Sequence, residues 1–158
     1  MRLVSTALGA ALAVGLAVPA TAQGPVQLAL VTPIQIVPES QGVTAFRFNL
    51  IYSVNQSVQY VDLGLINMTS GGASKGIQWA FVAINKGSFK GWQSALVSQS
   101  GSGEGLQWST LNMSDDWHGL QLGLVNYAKR YHGVQVGLVN IIKEGGQFPI
   151  FPIVNWSK

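Results

Sequence analysis

The sequence predicts an all-β repeat protein of about eight units of 14–16 residues, with a β-solenoid favoured and a small antiparallel β-barrel of about eight strands as the alternative. Three observations carry this expectation. A short phrase recurs at near-constant spacing from residue 46 to the end of the chain. Within each copy, residues of like character alternate with period two, as in a strand whose side chains point to opposite faces. Between copies lie polar tips rich in turn residues, such as Ser70-Gly71-Gly72-Ala73, Lys86-Gly87-Ser88, Ser100-Gly101-Ser102-Gly103 and Lys143-Glu144-Gly145-Gly146.

Taken in order, residues 1–22 read as a secretory signal: Arg2 supplies the basic start, 3–18 the apolar stretch, and Ala20-Thr21-Ala22 the small-x-small cleavage site. The expected product begins at Gln23. Residues 23–45 form an N-terminal lead-in, and 46–158 the β-repeat domain. The first apolar positions of its units fall at 46, 61, 77, 92, 106, 120, 134 and 149. The clearest copies are Gly119-Leu120-Gln121-Leu122-Gly123-Leu124-Val125-Asn126 and Gly133-Val134-Gln135-Val136-Gly137-Leu138-Val139-Asn140. Gly105-Leu106-Gln107-Trp108, Gly91-Trp92-Gln93-Ser94 and Gly76-Ile77-Gln78-Trp79 open three earlier ones. Phe46-Arg47-Phe48-Asn49-Leu50-Ile51-Tyr52, Val61-Asp62-Leu63-Gly64-Leu65-Ile66-Asn67 and the closing Pro149-Ile150-Phe151-Pro152-Ile153-Val154-Asn155 are more diverged.

Each unit has two faces. One holds the first, third and fifth positions, for example Leu120, Leu122 and Leu124; the other holds Gln, a small residue and an aliphatic one. Every single unit carries the same polar phrase, which favours stacked coils over a barrel, whose natural repeat is a two-strand hairpin. The apolar face spans only about five residues, or roughly 17 Å, whereas a strand crossing a bilayer needs about 9–11. Arg47 and Asp62 share the second position of adjacent units, where stacking in register would set opposite charges side by side.

The phrase G-[LV]-Q-[LV]-G-L-V-N at 119–126 and 133–140 resembles that of the bacterial surface-repeat proteins first described in spirochaetes, in which it recurs behind a signal peptide. The resemblance covers about residues 34–156 and includes opening and closing units. Ala83 and Ser98 replace Asn in two copies, interrupting that column. The resemblance implies an exported, envelope-associated protein and supplies no catalytic residue.

Several function classes are disfavoured. Of 158 residues only 9% are charged, with 9 Lys+Arg against 6 Asp+Glu, and no basic run exceeds Lys129-Arg130, so no nucleic-acid partner is expected. The absence of Cys removes disulfides and thiolate chemistry. No nucleophile stands in a recognisable setting of base and orienting acid, so the chain is read as no enzyme and as needing no cofactor. In stacked coils His118 and His132, fourteen apart, would be neighbours near Asp116, which could be read as a surface metal site; two His and one carboxylate are an incomplete set, solvated tip residues are the expected outcome, and no metal site is assigned.

Gln78, Gln93, Gln107, Gln121 and Gln135 share the second position and are expected to form a structural amide ladder. Asn67, Asn112, Asn126, Asn140 and Asn155 are expected to mark strand ends. Trp79, Trp92, Trp108 and Phe81 are read as core filling, against a lipid-facing girdle or a carbohydrate platform as the alternatives. Phe89, Trp117 and Tyr131 each precede a unit start by three residues, which suggests a packing role at the turn. The whole reads as an exported structural repeat protein of the cell surface or outer membrane, with adhesion as one use and an integral outer-membrane barrel as the alternative. Envelope or host-surface partners are expected; the oligomeric state is left open.

Overall fold

A computed structural model describes residues 23–158; the signal-peptide reading lies outside them. The described residues are strand and turn, with no helix. The elements are β1 (Gly24–Val31), β2 (Ile34–Gln35), β3 (Val43–Asn55), β4 (Gln59–Thr69), β5 (Ala73–Leu122), β6 (Val125–Glu144) and β7 (Ile150–Ser157). They form one sheet in the order β2-β1-β3-β4-β5-β6-β7. The β1–β3, β3–β4, β4–β5 and β5–β6 pairings are all parallel. The protein is therefore a parallel β-solenoid of about eight turns and not a barrel. Like positions of successive units stand in register: Asp62 faces Gln78, Asn112 faces Asn126, and Gln121 faces Gln135.

β5 runs for 50 residues through several coils because the corners keep extended, hydrogen-bonded backbone. Glycine makes these corners possible. Gly91, Gly105, Gly119 and Gly133 have φ between 123° and 136°, a region that residues with a Cβ rarely enter. They also stack, so that a Cβ on any of them would press into the carbonyl of the glycine one coil below. The recurring Gly of the phrase thus serves corner and stacking together.

Both ends depart from the parallel pattern. Residues 24–35, read from sequence as a lead-in, belong to the sheet: β1 supplies a parallel coil, and β2 folds back on it antiparallel. The closing phrase at 149–155, read as one more unit, reverses direction and pairs antiparallel with β6. The two-residue alternation is identical in either direction, so the phrase cannot report the reversal; the Lys143–Gly146 tip allows it. β7 carries Pro152, which lacks an N–H. A proline on β7 and the very short β2 blunt the two edges of the sheet. A chain ending at Glu144 would expose the β6 edge, and it is expected to form thioflavin-positive aggregates under conditions where the full chain stays dispersed.

Candidate functional site

The interior is mostly polar. Gln78, Gln93, Gln107, Gln121 and Gln135 are all buried. Their Nε2 atoms donate down the column: Gln93 to Gln78 Oε1 at 2.8 Å, Gln107 to Gln93 at 2.8 Å, Gln121 to Gln107 at 2.5 Å and Gln135 to Gln121 at 2.7 Å. The same column continues below Gln78 as Asp62, Arg47 and Gln27. Gln78 Nε2 donates to Asp62 Oδ2 (2.6 Å), and Arg47 meets Asp62 through Nε (2.6 Å) and a terminal guanidinium nitrogen (2.7 Å). Arg47 is fully buried and also donates to the Met68 carbonyl at 2.8 Å. The charged pair is thus a rung of the amide ladder.

A second ladder lies at the corner after the small position. Asn112 Nδ2 donates to Asn126 Oδ1, and Asn126 Nδ2 to Asn140 Oδ1, each at 2.8 Å. The same amides donate to the Leu122 and Val136 carbonyls one coil above. A Cβ on Gly123 or Gly137 would collide with these amides, which explains the small residue inside the phrase. Asn67 accepts from Asn49 Nδ2, and Asn155 donates to the Phe148 carbonyl at 2.8 Å. The column passes through Ala83 and Ser98, and Ser98 Oγ donates to Asn112 Oδ1 at 2.8 Å.

Two apolar clusters are buried among the described residues: Phe89, Trp117, Ala128, Tyr131 and Ile142 along the third side of the coil, and Val37, Val43 and Val58 near the N-terminal end. Trp117 occupies space that Gly103, one coil below, leaves open. Burial pushes the Tyr131 phenol above its usual pKa, and its hydroxyl lies 2.7 Å from the Val134 carbonyl.

The apolar face of the repeat is therefore outside, and the reading of its aromatics as core filling is corrected. Trp79 is 66% exposed, Phe81 57% and Trp108 55%, with Trp92 also exposed. The physical reason is width: a coil of fourteen residues encloses too little space for rows of Trp and Leu. Side-chain amides, in contrast, pack flat and satisfy one another along the stack. Seven coils from 46 to 138 place 21 residues at the first, third and fifth positions, and only Ser94 and Thr110 among them are not apolar; none is charged. The resulting surface is roughly 30 Å by 17 Å at ordinary strand spacings. At about 500 Å² in plan it stands at the upper end of the largest apolar patch that a monomer ordinarily shows to water, and patches of that size are often functional. Trp92 and Trp108 stack across it at 6.4 Å. A groove of about 550 Å³ opens between Phe48, Leu65, Trp79, Phe81 and Leu96, over Ser94 and Ala95.

Apart from Arg47 and Asp62, paired charged side chains sit on the outside between adjacent coils: Lys90 with Glu104 (3.0 Å), Lys129 with Asp115 (2.7 Å) and Arg130 with Asp116 (3.1 Å). The Asp115 carboxylate raises the Lys129 pKa above its usual value through a hydrogen bond. His118 and His132 face each other in register, their rings stacked at 4.5 Å. No protein-family profile, curated protein or solved structure matches the chain.

Proposed function

We propose that this is an exported, non-catalytic repeat scaffold of the cell envelope, held on a lipid surface by its apolar sheet face. The observation that carries the reading is the uncharged face of Leu, Val, Ile, Phe and Trp, exposed in coil after coil while amides fill the interior. Three features favour lipid over another occupant. The face is rich in indoles, which settle at membrane–water interfaces. Lys75 and Lys90 stand two residues before Ile77 and Trp92, on the border of the most aromatic part, where ammonium groups reach headgroups. The apolar signal-like segment at 3–18 and the repeat phrase both point to export. The protein would lie on the bilayer, since a solenoid has no ring of spanning strands.

The chain is expected to co-float with vesicles of phosphatidylethanolamine and phosphatidylglycerol, with its tryptophan emission shifted to the blue. Trp79→Glu/Trp108→Glu is expected to keep the fold, because both rings point outward, and to lose about tenfold in partitioning per ring. Residues 1–22 are common to both chains, so the difference isolates the face. Equal flotation of the variant would overturn the reading. A wild-type chain that stays with the aqueous fraction and sediments as a dimer would assign the face to a second copy instead.

A further inference from the structure

The polar column that borders the apolar face carries a separate inference where it passes through His118 and His132. We infer that Asp116, His118 and His132 bind a divalent transition metal, with zinc as the cation that this donor set fits best. Each of the three residues offers one ligand atom, and these atoms all lie within 4.8 Å of one another. Parallel stacking sets the arrangement: His118 and His132 hold the same position in adjacent coils, and Asp116 stands two residues before His118.

Two imidazoles and one carboxylate are a ligand set of open zinc sites, which leave a fourth position to water. Zinc–nitrogen bonds of about 2.0–2.1 Å require ligand atoms roughly 3.3 Å apart in a tetrahedron. Closing from the present spacing takes small rotations of side chains that are free to make them, since the His118 side chain is 55% exposed.

Asp116 is already half-prepared for such a role. Its Oδ2 accepts from Arg130 Nε at 3.1 Å, which orients the carboxylate. Its Oδ1 is shielded from water, has no hydrogen-bond partner, and lies 3.5 Å from His118 Nε2. A buried carboxylate oxygen without a partner is costly, and a cation there would satisfy it. Glu104, at the same position as His118 one coil below, lines a groove shared with Asp116 and His118 and is itself paired with Lys90. The fourteen-residue spacing predicts the two His as neighbours near Asp116 once coils stack; the unpartnered Asp116 oxygen is what the structure adds.

Calorimetric titration of the untagged full chain with zinc chloride is expected to give one site per chain. His118→Ala and His132→Ala should each weaken binding at least tenfold, and Asp116→Asn severalfold, with unchanged circular dichroism because all three side chains lie on the outer surface. Because the ion would tie two coils together, zinc should also raise the melting temperature of the wild type and not that of His118→Ala/His132→Ala. No heat above dilution would overturn the inference, and so would equal binding by the double variant. Neither result bears on vesicle flotation, because the three variants leave the first, third and fifth positions of the apolar face unchanged.

Discussion

Asp62→Gln is expected to lower the stability of the chain by about 3–5 kcal/mol, the cost of leaving a buried charge without its partner. Arg47 is fully enclosed and meets Asp62 through two nitrogens. Without the carboxylate its guanidinium keeps only neutral acceptors, the Met68 carbonyl being the nearest at 2.8 Å. The expected compensation is specific. Gln27 lies below the pair and Gln78 above it in the same column, so Arg47→Gln/Asp62→Gln would convert the charged rungs to amides like the rest of the ladder. The double variant should regain most of the loss, and the coupling in a double-mutant cycle should exceed 2 kcal/mol. Urea unfolding followed by circular dichroism measures all four chains. An Asp62→Gln chain as stable as the wild type would show that the pair adds nothing to the column. Since coils contact only their neighbours, the loss should appear first as unfolding of the N-terminal coils, ahead of the C-terminal ones.

The second large effect concerns the glycine column. Gly119→Ala is expected to destabilise by about 3 kcal/mol or more, combining strain at φ 128° with a clash against the Gly105 carbonyl. Gly145→Ala provides the control. It shares a positive φ, 77°, but a Cβ there would meet only Ser157 Oγ, at 3.7 Å. Its expected cost is about 1 kcal/mol. The difference between the two variants in urea midpoint measures the close approach of backbones together with the added strain of φ 128° over φ 77°. Equal effects would mean that the stacked glycines matter only as corners.

The sequence exposes its period plainly because a solenoid repeats one local environment: each coil needs a corner Gly, an inward Gln, a small residue beneath the Asn amides, and the Asn itself. The second-position column could be followed in the sequence from Gln135 down to Gln78, and stacking in register extended it to Asp62 and Arg47. Phe89, Trp117 and Tyr131 could be singled out by their place before each corner, yet Gly103 shows what the spacing alone omitted. The residue missing from that aromatic series is the gap that Trp117 fills. The inward turn of the Gln face was harder to read. Period-two alternation defines two faces without saying which is inside, and the usual preference of Leu and Trp for the interior pointed the wrong way. The reversal of β7 was hidden for a related reason, since a strand's alternation has no direction.

From the sequence alone come the all-β class, the stacked repeat of about fourteen residues, the paired second-position residues and the low charge of the chain. These follow from local rules that recur in every unit and so leave a periodic trace. Only the tertiary structure decided that the amides go in and the aromatics go out, that the ends are closed by β2 and β7, and that Asp116 Oδ1 is left shielded and without a hydrogen-bond partner beside His118. Those outcomes depend on how wide a closed coil is and on what lies one coil away. Neither distance is written in any single repeat.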